Sequence, residues 1–462
     1  MSQYIPEEFT KKVRLQLPGI IVGYTGLLLT TYNMIHLQIY DFFFYIIIMV
    51  ILGLMIGGSE FSLIFTLFGL KRPVYYVKGE YRKDFQKIRD QYIKNFEDGM
   101  EQQSQVAVYY KGELVVDLCG SFNFKDKNYS HDSLQPIFSS GKSVETVVIA
   151  MMVDRGHLDY NEKVSKYWPE FGQKGKQDFT LADVLRHEVG LARLGKLKNI
   201  EDTLIQNIKA NKIGQIIEEA EPIFSSKKTN REYHAMSRGL ILNEIVRRVD
   251  PQKRTIGEIV NEELNCKYRT NIYFGVDNAQ DLHISELTIG FLTNFIWAFF
   301  QSLVPNSLGR KIASNTLILL IVRFIALKKI DNTANVDNFS KRFLKGQITS
   351  SNGISNARSL AKIANIMANK GKIDDNQLIS EKTVALANSQ GIVKTDSLFS
   401  RTSKFTIGGN NVYDKDQQLG ILYDSEGFIG WSGLGGSLVR FQKLELIILY
   451  LLMFYFNQYQ CD

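Results

Sequence analysis

Ser139 and Lys142 are the residues of this chain best placed to do chemistry. They stand in Ser139-Ser140-Gly141-Lys142, after a polar loop and at the opening of the helical pattern SVETVVIAMMVDRGHL. Three residues apart at the start of a helix, the hydroxyl and the amine share one face. An amine partly withdrawn from water gives up its charge more readily, and can then take the proton of a neighbouring hydroxyl. The pair reads as an activated nucleophile. By itself the spacing also fits two surface residues, so the chemistry depends on what the surrounding elements bring.

Those elements can be read along the chain. Tyr81 to Phe96 carries Phe85, Ile88, Tyr92 and Phe96 at helical spacing and predicts an amphipathic helix. SQVAVYY and ELVVDLC flank Lys111-Gly112 and predict a two-strand hairpin. The nucleophile helix is expected to end near Gly156. Thr180 to Gly190 predicts another helix, with Thr180 as N-cap and Asp183 at the capping-box position. A mainly helical stretch then runs to about residue 350. Ser355 to Lys370 predicts one more helix, between Asn352-Gly353 and Gly371. GSLVRF and LELIILYLLMFYF return to strand character. The order is helix, strands, helical block, strands, which makes an α+β domain with no internal repeat. Trp168-Pro169-Glu170-Phe171 reads as a structural turn.

Composition bounds the function. The chain has 462 residues, 45% of them hydrophobic, enough for a sizeable core. Net charge is +7 without a dense Lys/Arg stripe, which argues against nucleic acid and leaves contact with an anionic lipid surface open. Cys119, Cys266 and Cys461 are far apart and odd in number, so neither a zinc site nor a disulfide framework is indicated, and no cofactor or metal is expected.

The N-terminal part is different in kind. Pro18 to Tyr40 contains no charged residue, and Phe42 to Gly58 is denser still in aliphatics. The two runs predict a tight transmembrane helical hairpin over residues 1–75. Lys11, Lys12 and Arg14 precede it, and Lys71, Arg72, Lys78, Arg82 and Lys83 follow it. Both flanks, and the domain at 76–462, are then expected on the positive-inside face, cytosol or matrix. A cleaved signal peptide fits less well, because no small-residue cleavage site is clear and a second apolar run follows. Few arginines and serines also argue against a mitochondrial presequence. Two later runs, 287–304 and 317–327, read as core helices or a substrate-covering lid, with interfacial membrane contact as the alternative.

Six segments in order resemble the serine β-lactamase and penicillin-binding-protein superfamily, nearest to its class C-like esterase branch. They are GELVVDLCGS, IFSSGKSVETVVIAMMVDRGHLDYNEKVSKYWPEF, FTLADVLRHEVGLARL, REYHAMSRGLILNEIVRR, SSNGISNARSLAKIANIMANKGKI and GWSGLGGS, spanning roughly residues 80 to 450. The resemblance implies a β-lactamase-like sandwich of antiparallel sheet flanked by helices (sheet part 76–138 and 350–462) with an all-α subdomain (139–349). It implies that Ser139 is acylated, that Lys142 accepts its proton and that Tyr233 is a second acid/base. It assigns the oxyanion hole to the backbone N–H groups of Ser139 and Leu434. Trp431, Ser432, Gly433 and His234 become expected substrate contacts. Ala235 stands where penicillin-active members carry Asn, and Trp431 where they carry Lys or His. Without that cation a penicillin carboxylate lacks its partner, so a small neutral ester or lipid-like substrate is expected. A Ser-His-Asp triad through His187 or His234 is disfavoured, since no G-x-S-x-G elbow is present. Gly433, Gly435 and Gly436 lack the strand-then-helix context of a phosphate loop and read as a strand bend. The family's last helix has no counterpart after LMFYF, which would leave a sheet face for a partner to cover.

Two functions follow as expectations. One is a membrane-anchored serine hydrolase acting through an acyl-enzyme. The alternative is a catalytically weak or inactive subunit of a membrane protein complex. By resemblance to animal relatives of the fold, the mitochondrial inner membrane is the expected location.

Overall fold

A computed structural model of the chain describes residues 74–97, 101, 103–122, 128–195, 197, 199–224, 230–276, 282–285, 343–398, 401–413, 426–433, 436–442 and 446–453. Tyr75–Tyr81 (β1), Gln103–Tyr110 (β2) and Glu113–Phe122 (β3) form one end of an antiparallel sheet. The β2–β3 turn is Lys111-Gly112, with φ of 53° and 87°. A two-residue hairpin turn of that hand follows the twist of its strands. Ile392–Asp396 (β4), Arg401–Phe405 (β5), Asn411–Val412 (β6), Ile429–Ser432 (β7), Ser437–Phe441 (β8) and Leu446–Met453 (β9) supply the rest. The nine strands lie in the order β1-β3-β2-β9-β8-β7-β6-β5-β4. Thus β9, late in the sequence, sits mid-sheet: Leu446 faces Tyr110 on β2 and Leu451 faces Ser437 on β8.

The helices of the described residues include Gln86–Glu97 (α1), Gly141–Asp154 (α2), Leu181–Leu185 (α3), Lys212–Glu219 (α4), Ser237–Val249 (α5), Ala357–Ala368 (α6) and Glu381–Ala387 (α7). Every residue of α2 from Gly141 to Met152 is buried. A helix buried on nearly all sides belongs at the centre of a core, here with Lys142 and Glu145 carried inside it. The same core holds Val144, Val147, Val148 and Met151 of α2, Leu240, Ile241 and Ile245 of α5, Leu360 and Ile363 of α6, and Ile429 and Val439 of the sheet. Each such side chain contributes about 1.5–3 kcal/mol when fully buried. A small second sheet joins Gln135–Pro136, Ile354–Ser355 and Ile272–Tyr273 beside the nucleophile turn.

The Trp168–Phe171 turn is structural. Trp168 is fully buried, its Nε1 donates to Glu218 Oε1 at 2.8 Å, and the Arg248 guanidinium lies 4.0 Å from its ring centre. It pins the turn between α4 and α5.

The α+β arrangement of a sheet with flanking helices matches the sequence reading, with three corrections of detail. The expected helix at Tyr81 begins later, because Tyr75–Tyr81 pairs along its whole length with β3, up to Tyr81 opposite Val116. A strand therefore comes first, and its pairing partner lies too far along the chain to show in local periodicity. The helix expected to reach Gly190 ends at Leu185, where Arg186 leaves helical geometry and His187 takes a left-handed φ of 65°. The Thr180–Asp183 capping box is present in full. The 139–349 block is not wholly helical, since Ile272–Tyr273 is a strand. Among the described residues no helix is long and apolar enough to cross a membrane. The two apolar runs of the hairpin expected in 1–75, 18–40 and 42–58, and the runs 287–304 and 317–327 lie outside the described residues, while Tyr75 already belongs to β1.

Candidate active site

Ser139 sits in a single 3-10 turn, Phe138–Ser140, that leads into α2. The turn is strained, because Phe138 has a φ of 46°, a conformation uncommon for a side chain with a Cβ. Its surroundings fix it. Ile137 N donates to Gly353 O at 2.9 Å, and Ile137 O accepts from Ser437 Oγ at 2.6 Å. Ser140 Oγ lies 3.0 Å from the same Ser437 hydroxyl. Ser437 opens β8, so the sheet holds the nucleophile turn directly.

The hydroxyl of Ser139 meets two groups. Tyr233 Oη lies 2.6 Å from Ser139 Oγ, and Lys142 Nζ donates to Ser139 Oγ at 3.3 Å. Lys142 also donates to Ala235 O at 3.0 Å and to Ser350 O at 2.8 Å. Its side chain is fully buried, and its ammonium sits 4.8 Å from the Tyr233 ring centre. Burial lowers its pKa from the ordinary lysine value, opposed by Tyr233 and Glu145 and assisted by Arg238. A buried amine with a weakened hold on its proton, bonded to a serine hydroxyl, can act as a base toward it.

Tyr233 is placed by a set of buried polar contacts in the segment before α5. Arg231 is fully buried; it donates to Arg186 O at 3.1 Å, to Ser403 O at 2.6 Å and to Glu188 Oε1 at 2.7 Å. Lys394 donates to the other Glu188 oxygen at 2.6 Å. Glu232 N donates to His187 O at 3.2 Å, and His234 N donates to His187 Nδ1 at 2.9 Å. The left-handed turn at His187 therefore exists to hold the tyrosine segment, which is why α3 stops early.

Two of the expected substrate contacts, His234 and Trp431, are buried in the structure. His234 is fully buried: its Nε2 accepts from Leu191 N at 3.0 Å and its Nδ1 lies 2.6 Å from Glu232 O. Burial pulls its pKa down to about 4 and takes that of His187 well below the ordinary range, so both rings are neutral scaffold. Trp431 is only 6% exposed. Its Nε1 donates to Gly409 O at 3.0 Å, its ring stacks on Phe405 at 5.2 Å, and Lys142 Nζ lies 5.6 Å from its centre. It backs the lysine instead of offering an open wall. Ser432 is exposed at the end of β7. Gly433 follows at close quarters, since a Cβ there would lie 2.5 Å from Ile137 O and 3.2 Å from Ser139 N. This brings the β7 end against the Ser139 N–H. Leu434, the other expected oxyanion donor, lies outside the described residues. Among the described residues no cluster of acidic, histidine or cysteine side chains could hold a metal ion.

Sequence reasoning missed Ser350, Ser437, Glu145 and Arg238. Ser350 acts through its carbonyl, an atom every residue has. Glu145 and Arg238 did leave a signal: charged residues inside helical stretches that are otherwise apolar on the core side.

Known proteins share this fold. The family model described as Beta-lactamase matches residues 92–453. The Esterase/beta-lactamase LipL of Mycobacterium tuberculosis (strain ATCC 25618 / H37Rv) is 24% identical over 344 residues, 72% of this chain and 72% of that protein. A crystal structure of a family VIII carboxylesterase is similar with a TM-score of 0.67 at 23% identity, covering 84% of this chain and 96% of the other. A penicillin-binding-protein homologue from Caulobacter crescentus gives a TM-score of 0.65 at 23% identity, covering 82% and 93%.

Proposed function

The chain belongs to the beta-lactamase family, and on that premise we propose that it is a serine hydrolase of the esterase kind, working through an acyl-enzyme on Ser139. The observation that carries the reading is the meeting of Ser139 Oγ with Tyr233 Oη at 2.6 Å and Lys142 Nζ at 3.3 Å, around a fully buried amine. Neutral Lys142 takes the proton as Ser139 Oγ bonds to the ester carbonyl carbon. The N–H of Ser139, with that of Leu434, would stabilise the oxyanion; each such donor is typically worth about 3 kcal/mol. Tyr233 hands a proton to the departing alkoxide and is reprotonated through Lys142. Water then attacks the acyl-enzyme by the reverse sequence and releases the acid. The likeness of fold to a carboxylesterase and a name shared between esterase and β-lactamase support the reaction class.

A neutral ester, small or lipid-like, suits the site. By the family resemblance, Trp431 stands at the position where penicillin-active members carry the cation for a penicillin carboxylate, and Ala235 offers only its carbonyl, which already accepts from Lys142. The apolar runs at 18–40 and 42–58, flanked on both sides by Lys and Arg, support a membrane anchor that would keep the domain near lipid substrates, with the mitochondrial inner membrane the location suggested by resemblance. The test is labelling of the detergent-solubilised chain with a fluorophosphonate, with Ser139→Ala as control. Labelling lost in the variant is the expected result. A folded, accessible chain that takes no label would overturn the hydrolase reading and favour a structural subunit of a membrane complex.

A further inference from the structure

Beneath the Ser139, Lys142 and Tyr233 cluster lie two charged side chains with no exposure at all, Glu145 and Arg238. Glu145 follows Lys142 by three residues on α2, and Arg238 is the second residue of α5. Arg238 Nε stands 3.0 Å from Glu145 Oε2. That approach lacks hydrogen-bond geometry at both atoms, so charge joins them. The remaining contacts point toward the site. Arg238 donates to Lys142 O at 3.2 Å and to Gly409 O at 3.1 Å. Its guanidinium lies 5.3 Å from the centre of the Trp431 ring, whose contact with Lys142 is 5.6 Å. Glu145 accepts from Thr349 Oγ1 at 2.7 Å, on the segment whose next residue, Ser350, gives its carbonyl to Lys142.

Stability alone does not explain such a pair. Withdrawing two charges from water is costly, and buried ion pairs are often replaced by apolar residues without loss. The mechanism derived above uses neither residue. Resting on the hydrolase reading, we propose that Glu145 and Arg238 are a positioning pair that sets the protonation balance of Lys142. The two act in opposite senses, the carboxylate favouring the ammonium and the guanidinium opposing it. The charged and titratable groups facing the lysine can be named for every element packed on it among the described residues. The 230–236 segment brings Tyr233 and neutral His234, the α3 turn brings neutral His187, and α5 brings Arg238. Its own helix brings Glu145. The Thr349–Ser350 segment and β7 bring no ionisable side chain against it, only the Ser350 carbonyl and the Trp431 ring.

The experiment is the pH dependence of the fluorophosphonate labelling rate for the full chain in detergent, with circular dichroism to confirm folding. Glu145→Gln leaves Arg238 uncompensated beside the amine, so the acid limb should move down by about one pH unit. Arg238→Gln leaves the carboxylate uncompensated, so the limb should move up by a similar amount. The double variant removes both charges and should return close to wild type. A merely structural role predicts something else: lower labelling plateaus and lower melting temperatures in the single variants, with the limb unmoved. Limbs that stay in place in folded variants overturn the proposal. If Arg238→Gln does not fold, Glu145→Gln and the double variant decide the matter between them. A wild-type chain that takes no label at any pH overturns the hydrolase reading, and the assignment of this pair falls with it.

Discussion

Lys142 has three acceptors, Ser139 Oγ, Ala235 O and Ser350 O, and no water-facing surface. The acceptors favour the ammonium while burial favours the amine, and burial is the larger effect. Labelling of Ser139 should therefore rise with pH as the proton leaves, with its midpoint below a lysine's ordinary 10.5, and Lys142→Met should remove at least a hundredfold of the rate. A second titration lies far from the chemistry. His131 Nδ1 is 2.9 Å from Asp117 Oδ1, and this contact, helped by Cys119, raises the imidazole from 6.5 to about 9. Because the folded value lies above the unfolded one, the stabilisation is complete below 6.5 and is lost as pH rises through about 9. The melting temperature of wild type should exceed that of His131→Gln by a few degrees at pH near 6 and converge with it near pH 10. A constant gap across that range would show that charge is not the cause. At this scale the convergence of Ser139, Lys142 and Tyr233 was legible from sequence, since their residue types mark them out, and the three do meet. Their carbonyl partners were not, because a backbone oxygen is anonymous in sequence. His234 misled for a related reason: its neighbour Tyr233 turns to the site while its own ring turns inward to cap Leu191 N.

Between residue and fold, the element that matters most is the junction of β7 with β8. Gly433 and Ser437 bring the sheet against the nucleophile turn, and a Cβ at Gly433 would fall 2.1 Å from Ser437 Oγ and 2.5 Å from Ile137 O. Gly433→Ala should push the strand end off the turn and cut Ser139 labelling by at least tenfold, with a smaller fractional loss of stability. Ser437→Ala removes the donor to Ile137 O and should cost about 1 kcal/mol in denaturant unfolding, while relaxing the strained Phe138. Unchanged labelling in both would show that the turn holds itself. Helices with local signatures were readable: the capping box at Thr180 occurs in full, and the helix read from Ser355 is present as Ala357–Ala368. The C-terminal end of α3 and the existence of β1 were not, since each is decided by a distant partner, His234 N in the first case and β3 in the second.

For the molecule as a whole, the expectation that awaits measurement is anchorage. The full chain should stay in the membrane pellet after alkaline carbonate washing, and release to the supernatant would remove the anchor from the functional reading. Its sheet carries a further consequence. Among the described residues, strand β9 joins two halves of the sheet that are not otherwise paired: β1-β3-β2 on one side and β8-β7-β6-β5-β4 on the other. The sequence supplies the first half before residue 123 and all of the second only after residue 391. A chain growing on the ribosome thus holds β2 with a vacant edge until Leu446–Met453 has emerged from the exit tunnel. The core helix and the three side chains of the site are all synthesised before the strand that closes the sheet behind them, so a nascent chain carries the residues of the site long before it carries the frame that brings them together.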